Sequence, residues 1–338
     1  MNAKIRIEPS GHEFVAHAGE TILEAALREG YHLPYSCRNG TCGTCKGKIV
    51  SGTVEHREYE AKALSPAERA AGQALFCRAV PVGDVVVEAR EIGAAKDIVI
   101  KTMPARVARM ERLAPDVMRL DLKLPQSERL QFLAGQYIDI LLKDGRRRGF
   151  SLANAPHDDA FLQLHIRHVP GGYFTNHVFT EMKEKALLRF EGPLGTFFLR
   201  EDSERPILFV AGGTGFAPIK GMLEHGFYTQ LARPMHLFWG ARARIDLYLD
   251  ALPLEWANTH AQFKYTPVLS QPQPTDAWDG ATGYVHAAVA AAYPDLSGFD
   301  VYASGPPAMI EAAKQSFFAQ GLPQDRFFYD SFDYAKDP

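Results

Sequence analysis

The alternation of apolar and polar positions divides the chain into three segments with different secondary-structure patterns. Up to about residue 90, short alternating runs such as Lys4–Ile7 and Val85–Val87 predict strands around a helix. Thr21 begins this helix, with Glu24 completing a capping box three residues later, and Gly30 ends it. A loop that carries three cysteines follows, and then further strands. This order predicts a small α+β unit.

The second segment, about residues 105–200, is rich in predicted strands. Gly or Pro separates four alternating runs: Val117–Leu124, Tyr137–Leu142, Phe161–His168 and Ala186–Phe190. One helix is expected at about Phe174–Met182. Many strands with a single helix favour an antiparallel β-barrel.

The third segment, about residues 205–338, alternates apolar runs with helical stretches. The predicted strands are Ile207–Ala211, His236–Trp239, Phe263–Val268 and Val301–Ala303, and the predicted helices lie at about 216–230, 284–292 and 307–319. Continuous apolar runs separated by helices are typical of buried parallel strands with crossover connections. We therefore expect an α/β domain with a parallel sheet.

The length of 338 residues is consistent with two or three domains. We predict a domain at 1–90, a linker at 91–104, a second domain at 105–200 and a third at 205–338. The linker prediction rests on Gly93-Ala94-Ala95 and on Pro104, which are residues that interrupt regular structure.

The charge distribution narrows the classes of partner. A net charge of −3 argues against a nucleic-acid-binding protein, which usually has a strong basic excess. The longest uncharged runs, Pro206–Ile219 and Gly280–Pro294, are too short for a membrane span. Lys4 and Arg6 stand where a signal peptide needs its apolar core, so we expect a cytoplasmic protein.

All four cysteines lie in the first segment, as C-x4-C-x2-C followed by one distant cysteine. They are Cys37, Cys42, Cys45 and Cys77. This spacing is the plant-type pattern for a 2Fe–2S cluster, in which three thiolates come from one loop and the fourth from elsewhere. A structural zinc site is the alternative, although its ligands usually come as two close pairs.

A run of arginines leads to a serine in the second segment. Taken alone, Arg146-Arg147-Arg148-Gly149-Phe150-Ser151 is typical of a solvated turn after a strand. Its last four residues resemble the Arg-x-Tyr-Ser flavin-binding signature of the ferredoxin–NADP reductase superfamily, with Phe150 in place of tyrosine. The resemblance implies that Arg148 pairs with a flavin pyrophosphate and that the Ser151 hydroxyl hydrogen-bonds flavin N5. It also implies that Phe150 and Leu152 pack beside the flavin.

The residues that follow support this resemblance. His165 and Arg167 lie in a predicted strand and are candidate cofactor-binding residues, with an ordinary strand role as the alternative for His165. Gly171-Gly172-Tyr173-Phe174-Thr175 precedes the predicted helix, where the superfamily binds the flavin pyrophosphate with a Gly-x-x-Ser/Thr element. A helix N-terminus with exposed amides is an anion site. The implied ligands are Gly172, Tyr173 and Thr175.

The third segment carries a glycine-rich turn between a strand and a helix. Gly212-Gly213-Thr214-Gly215-Phe216-Ala217-Pro218 resembles the superfamily's Gly-Gly-Thr-Gly-x-Ala-Pro, whose amides approach a nucleotide pyrophosphate. The implied ligands are Gly212, Gly213, Thr214 and Gly215. Arg242 ends the next strand, where the family binds the adenosine ribose.

Two later positions complete the candidate site. Ser304-Gly305-Pro306-Pro307 resembles the family's Cys-Gly-x-x segment beside the nicotinamide, with serine in place of cysteine. Ser304 is therefore a catalytic candidate with Ser151, and Gly305 is a cofactor-binding candidate. Phe332 is a candidate cover for the flavin, and a buried terminal strand is the alternative for most of the aromatic residues around it.

The resemblance covers essentially the whole chain and implies three domains. They are a β-grasp ferredoxin domain, an antiparallel β-barrel flavin domain and an α/β parallel-sheet nucleotide domain. The chain is similar to single-chain reductase components of bacterial oxygenases, such as phenol hydroxylase reductases, and to CDP-6-deoxy-3,4-glucoseen reductases. The implied cofactors are a 2Fe–2S cluster, FAD and NADH. NADPH is the alternative donor, because Arg242 and Arg244 lie where its 2′-phosphate could bind, whereas the neighbouring Asp246 opposes that negative charge.

The implied activity is electron transfer from NAD(P)H through FAD and the cluster to a partner protein. That partner is an oxygenase component or, alternatively, a PMP-dependent dehydratase. A redox-sensing 2Fe–2S protein is the non-enzyme alternative.

Overall fold

A computed structural model describes residues 2–93 and 98–332 of the chain. The chain divides into two compact units, Met1–Val99 and Ile100–Pro338. Part of the predicted linker, Ala94 to Asp97, lies outside the described residues. None of the helices in the described ranges combines the length and the apolar character that a membrane crossing requires.

The first unit is a mixed sheet with two short helices. Its elements are β1 (Ala3–Glu8), β2 (Glu13–Ala16), α1 (Ile22–Arg28), β3 (Lys46–Ser51), β4 (Val54–His56), α2 (Pro66–Ala70), β5 (Gln73–Leu75), β6 (Ala79–Pro81) and β7 (Val85–Glu88). The main sheet has the order β2-β1-β7-β3-β5, and β4 pairs with β6. Thr21 and Glu24 form the predicted capping box at the start of α1. The expected α+β composition of this segment is confirmed.

An antiparallel sheet forms the first part of the second unit. Its elements are β8 (Lys101–Ala114), β9 (Val117–Lys123), β10 (Tyr137–Leu141), β11 (Arg147–Ser151), β12 (Leu162–Arg167), α3 (Tyr173–Thr180) and β13 (Leu187–Leu194). The strand order is β11-β10-β13-β8-β9-β12. Among the described residues, the edges of this sheet are joined by one isolated bridge, between Leu152 and Leu164.

Two strands of this sheet depart from the sequence-based expectation. Strand β8 begins at Lys101, inside the range predicted as a linker, and it contains Pro104. Pro104 is tolerated because β8 pairs there with β13, whereas its pairing with β9 starts only at Arg106. Arg147 and Arg148 of the arginine run lie in strand β11, and Arg146 precedes the strand. This strand lies at the sheet edge, where polar side chains reach solvent, and Arg147 pairs with Glu191 at 2.7 Å.

A parallel sheet with helices forms the second part of this unit. Its elements are β14 (Ile207–Gly212), α4 (Phe216–Tyr228), β15 (Met235–Ala241), α5 (Ala251–Thr259), β16 (Phe263–Leu269), β17 (Ala281–Thr282), α6 (Val285–Ala292), β18 (Asp300–Gly305), α7 (Pro307–Ala319) and β19 (Phe327–Ser331). The order is β17-β16-β15-β14-β18-β19, with every pair parallel. The predicted parallel sheet is confirmed. Helix α5 is not among the helices predicted from the sequence; its Pro253 lies in the first helical turn, where a proline is tolerated.

Aromatic packing fixes the glycine turn at the end of β14. Phe216 opens α4 and stacks on Trp239 of β15, with ring centroids 4.0 Å apart. The Trp239 indole Nε1 donates a hydrogen bond of 2.9 Å to the Gly213 carbonyl. The turn is therefore anchored both to the helix that follows it and to the neighbouring strand.

A buried ion pair anchors the opposite end of the same sheet. Arg233 donates from Nη2 to Asp300 Oδ2 at 2.6 Å, and from Nη1 and Nε to the carbonyls of Arg200 and Arg205. Both side chains are almost fully buried. Asp300 begins β18 and lies level with Ile207 of β14, so the pair secures the amino ends of the central strands.

Removing the cation alone should destabilise this domain. We expect Arg233→Met to lower the free energy of unfolding by about 3–5 kcal/mol, because the buried Asp300 carboxylate loses its 2.6 Å partner and keeps only Arg326, whose Nη1 lies 3.7 Å from Asp300 Oδ1. Urea unfolding followed by tryptophan fluorescence measures the effect, since Trp239, Trp256 and Trp278 all lie in this part of the chain. The double variant Arg233→Met/Asp300→Leu should recover part of the loss. Equal stabilities of Arg233→Met and the unaltered protein would contradict the assignment.

Candidate functional site

The four cysteine thiols of the first unit lie in two pairs. Cys45, just before β3, and Cys77, between β5 and β6, are buried with their Sγ atoms 3.2 Å apart. Cys37 and Cys42 are half-buried and hydrogen-bonded to each other, and this bond lowers the pKa of the Cys37 thiol to about 5. The same bond raises the pKa of the Cys42 thiol, and the bond to Cys77 raises that of Cys45. Cysteines bind a metal as thiolates, so it is the pairing of the four sulfur atoms in space that suits metal binding.

The paired arrangement fits a two-iron cluster better than a single ion. Four thiolates around two irons allow two ligands for each metal, which matches the two pairs. A structural zinc ion needs four ligands around one centre. Within residues 2–93 and 98–332, no group of three or more His, Cys, Asp or Glu side chains is placed to hold one ion. The residues therefore fit a 2Fe–2S cluster.

The cysteine loop packs too closely for a side chain at one of its glycines. Gly40 has φ +83°, and a Cβ there would lie 2.8 Å from the Tyr59 Cβ and 2.9 Å from the Arg78 Cγ. The Gly40 carbonyl accepts a hydrogen bond from the Glu60 amide at 3.1 Å. The wrapped loop between α1 and β3 thus depends on glycine at this position.

In the second unit, β11 brings the predicted flavin-binding residues beside α3. Arg148 and Phe150 alternate along the strand, and Ser151 ends it. The Phe150 ring packs against Phe174, in the first turn of α3, with centroids 5.4 Å apart. The arginine of the signature and the start of the helix are therefore held on neighbouring elements.

The N-terminus of α3 has the character of an anion site. Gly172 is its N-cap, with no side-chain cap bond in the described structure, and Tyr173 is exposed. A Cβ on Gly172 would lie 2.7 Å from Thr175 Oγ1 and 3.0 Å from the Val169 carbonyl, so only glycine fits. Thr175 Oγ1 also accepts from the Val169 amide at 3.2 Å and donates to the Val169 or the Gly172 carbonyl, at 3.2 and 3.3 Å. The amides at the start of the helix fit a phosphate, which would compete with these carbonyls for the Thr175 hydroxyl.

The Ser151 hydroxyl meets a carboxylate that the sequence motifs did not identify. Ser151 Oγ donates to Asp330 Oδ2 over 3.4 Å, and both residues are buried. Asp330 lies on β19, level with Ser304 of β18. The sequence signal for Asp330 is one acidic residue within an otherwise apolar and aromatic strand, Phe327–Ser331.

The nucleotide turn faces an arginine from the antiparallel sheet. A Cβ on Gly213 would lie 3.4 Å from Arg167 Nη2, and Gly213 itself has φ +54°. Arg167 Nη1 pairs with Asp116 at 3.3 Å, whereas its buried Nε and Nη2 have no hydrogen-bond partner among the described residues. Two donors beside a glycine turn fit an anionic phosphate. A Cβ on Gly215 would overlap the Ser304 carbonyl, so the turn also packs directly on β18.

His165 is engaged by protein groups on both ring nitrogens. Nδ1 lies 3.0 Å from the Tyr248 hydroxyl, and Nε2 lies 3.0 Å from the side-chain amide group of Gln163. Burial, together with the charges of Lys220 and Arg119, holds the pKa of His165 well below its usual value. The ring is therefore neutral, and its prediction as a cofactor ligand stays a prediction.

The remaining predicted residues lie along the carboxyl edge of the parallel sheet. Arg242 is exposed after β15, and in the same loop the Asp246 carboxylate accepts from the Ala243 amide at 3.1 Å. The Phe332 amide donates to the Gly305 carbonyl at 2.9 Å, which continues the alignment of β19 with β18. The Ser304 hydroxyl is buried, and no hydrogen-bond partner for it occurs in the described ranges.

Comparison with protein families divides the chain in the same way as its motifs. Residues 5–82 match the 2Fe-2S iron-sulfur cluster binding domain, residues 104–199 the oxidoreductase FAD-binding domain, and residues 209–315 the oxidoreductase NAD-binding domain. The expectation of a 2Fe–2S cluster, FAD and a nicotinamide nucleotide is confirmed. The assignment of individual ligands stays a prediction.

Relatives that match the chain over nearly its full length show the family to which it belongs. The chain is 42% identical to CDP-6-deoxy-L-threo-D-glycero-4-hexulose-3-dehydrase reductase of Yersinia pestis, over 99% of this chain and 100% of the relative. It is 35% identical to the phenol 2-monooxygenase reductase component DmpP of Pseudomonas sp. (strain CF600), over 100% and 96%. The chain belongs to the iron–sulfur flavoprotein reductases. This reductase is an NAD(P)H-dependent oxidoreductase with 2Fe–2S, FAD and NAD domains.

A solved structure extends the likeness. The crystal structure of Amycolatopsis cytochrome P450 reductase GcoB matches the reductase with a TM-score of 0.81 and 34% identity, over 98% of each chain. The expected resemblance to single-chain reductases is therefore confirmed for both sequence and fold.

The paired thiols predict the metal content of the reductase. We expect two irons and two acid-labile sulfides per chain, because each thiol pair provides two ligands to one iron. Iron and sulfide analysis of the purified protein checks this result, and Cys45→Ser should lower the iron content. Stoichiometric zinc without acid-labile sulfide would contradict the assignment.

Proposed function

We propose that the reductase oxidises NADH at a site built from Ser151, Asp330, Ser304 and the glycine turn, and delivers electrons through its cluster to a partner protein. The observation that carries the proposal is the Ser151–Asp330 hydrogen bond, which joins the end of β11 to the parallel sheet. Bound FAD supplies the chemistry that links two-electron oxidation of a nicotinamide to one-electron steps.

Three features of the second unit would hold FAD. The Arg148 guanidinium and the Thr175 hydroxyl would bind its phosphates, together with the amides at the start of α3. Phe150, supported by Phe174, would pack beside the ring. Leu152 and Phe332 complete the proposed contacts with the flavin.

Ser151, oriented by Asp330, would accept a hydrogen bond at flavin N5. The Asp330 carboxylate accepts the Ser151 hydroxyl hydrogen, so the serine oxygen can accept a hydrogen bond from an N5–H group. Ser304 would lie near the nicotinamide, because its buried hydroxyl is otherwise unsatisfied within the described parts of the chain. Asp330 thus becomes a positioning residue for Ser151.

The nucleotide would bind along the carboxyl edge of the parallel sheet. Gly212–Gly215 would offer amides to the pyrophosphate, and the two unsatisfied nitrogens of Arg167 would add charge-assisted bonds. Arg242 would reach the adenosine ribose. Asp246 in the same loop disfavours a 2′-phosphate, so we propose NADH as the donor rather than NADPH.

We further propose a closed barrel for the antiparallel sheet and a β-grasp fold for the first unit. The Leu152–Leu164 bridge supports closure of the antiparallel sheet as a barrel, and the sheet order of the first unit supports a β-grasp domain. We propose domains at 1–90, 105–200 and 205–338 and a linker at 91–104 whose last residues form the start of β8. We also propose a cytoplasmic location.

The partner is an electron-accepting protein, for which two classes compete. Relatives named as reductase components of oxygenases support an oxygenase component, as expected from the sequence. The higher identity, 42%, to a hexulose-dehydrase reductase favours a PMP-dependent dehydratase. Reduction of one purified acceptor of each class by the reductase distinguishes them.

The proposed role of Ser151 predicts a specific kinetic defect. Ser151→Ala should slow flavin reduction by NADH about 5- to 150-fold, since a hydrogen bond of about 1–3 kcal/mol is lost at the reacting atom. Asp330→Asn should produce a smaller defect in the same step. Stopped-flow absorbance measures the rate, and flavin content should stay near that of the unaltered protein. Reduction at an unchanged rate in Ser151→Ala would refute the assignment.

The division of the chain predicts separable activities. A fragment of residues 100–338 should keep FAD and reduce ferricyanide with NADH, because it contains every proposed flavin and nucleotide ligand. It should be nearly inactive toward cytochrome c, for which the cluster is the proposed electron exit. The ratio of the two activities, compared with the full chain, is the measurement. Cytochrome c reduction that survives intact in the fragment would show that electrons leave without the cluster.

A further inference from the structure

A buried lysine connects the nucleotide helix to the segment that follows Ser151. Lys220 lies in the second turn of α4 and is only 7% exposed. Its Nζ donates to the Ala153 carbonyl at 3.0 Å and pairs with Glu224 Oε1 at 2.7 Å. Ala153 is two residues beyond Ser151, so this contact joins the matched NAD-binding residues to the matched FAD-binding residues.

Burying an ammonium group in a protein interior is energetically unfavourable. Its desolvation costs more than that of an apolar side chain of the same length, even with Glu224 as its partner. The ammonium group donates a directional hydrogen bond to one carbonyl, which an apolar side chain cannot do. The contact therefore specifies position rather than simply burying surface.

The backbone of α4 also lies directly against this segment. A Cβ on Gly221 would lie 2.8 Å from the Asn154 carbonyl oxygen and 3.4 Å from that of Leu152. The helix backbone at Gly221 therefore contacts residues 152–154 directly, and the Lys220 hydrogen bond lies beside this contact. A small shift of α4 would be transmitted to residues 152–154.

The segment is in turn fixed to its own sheet. The Asn154 side chain donates from Nδ2 to the carbonyls of Asp158 and Phe161, at 2.7 and 3.0 Å, and its Oδ1 accepts from the Gln163 backbone amide at 2.9 Å. At the other end, α4 begins at the glycine turn that Phe216 and Trp239 anchor. Lys220 therefore lies between two rigid parts, one with the serine and one with the turn.

We propose that Lys220 is a positioning residue that sets the distance between the nucleotide turn and the Ser151 segment. This inference rests on the proposed function, in which Ser151 lies at flavin N5 and Gly212–Gly215 bind the nucleotide. Displacement by about 1 Å of groups that align two reactants can cost about 100-fold in rate. The lysine would act through Ala153 without touching either reactant.

The test uses the full-length protein loaded with FAD and its cluster. Lys220→Met removes the ammonium, and Lys220→Met/Glu224→Gln also removes the half-buried carboxylate that the single change would leave without its lysine partner. Lys314→Met is the matched control, because Lys314 is a helical lysine paired with Glu311 at 2.7 Å on α7. For each variant, stopped-flow absorbance gives the limiting rate of flavin reduction and the NADH dissociation constant.

We expect both Lys220 variants to keep their flavin and to reduce it about 10- to 100-fold more slowly at saturating NADH. The NADH dissociation constant should change less than about threefold, because no nucleotide contact is removed. Amide hydrogen exchange should become faster in residues 151–155. Lys314→Met should match the unaltered protein in all three measurements.

A limiting rate equal to that of the unaltered protein in the double variant would overturn the proposal, even if thermal stability fell. Unchanged amide exchange in residues 151–155 would overturn it as well. If the single variant does not fold, the double variant decides. Failure of the proposed function is recognised separately, because Ser151→Ala would then reduce its flavin at an unchanged rate whatever the Lys220 variants do.

Discussion

The parallel register of one sheet is the constraint on which the candidate active site depends. Ala211 of β14 lies level with Ser304 of β18, and Ser304 lies level with Asp330 of β19. Because the three strands run in the same direction, their carboxyl ends leave the sheet at one edge, as in other open α/β sheets. The glycine turn, the buried serine and the buried carboxylate are neighbours for this reason alone.

The same register explains which residues the sequence could and could not reveal. The capping box at Thr21, the spacing of the cysteines and the glycine turn at Gly212–Gly215 are local patterns, and each can be read within a few residues. Asp330 is 179 positions from Ser151, and their contact exists only because β19 pairs with β18. No periodicity or short motif records such a contact.

Errors in the predicted elements have the same origin. Pro104 suggests the end of a linker, yet it lies in strand β8, where it pairs with β13 and where the pairing with β9 starts only at Arg106. The arginine run before Ser151 suggests a solvated turn, yet it forms an edge strand whose Arg147 meets Glu191. In both cases the partner strand decides the structure of a segment whose own residues argue against it. The parallel sheet was predictable because its strands are buried on both faces and carry a continuous apolar signal.

Buried polar groups at the two ends of the parallel sheet differ in how fully they are satisfied. At the amino ends, every nitrogen of the Arg233 guanidinium donates to a carbonyl or to Asp300, which is the behaviour of a structural ion pair. Asp300 Oδ1 makes no hydrogen bond among the described residues, but it lies 3.7 Å from the Arg326 guanidinium. At the carboxyl edge, Ser304 Oγ and two nitrogens of Arg167 are buried without a hydrogen-bond partner in the residues that the structure describes. Unmet hydrogen-bonding capacity costs stability and persists where a ligand meets it. This difference supports the proposal that the chemistry of the reductase takes place at the edge where the strands end.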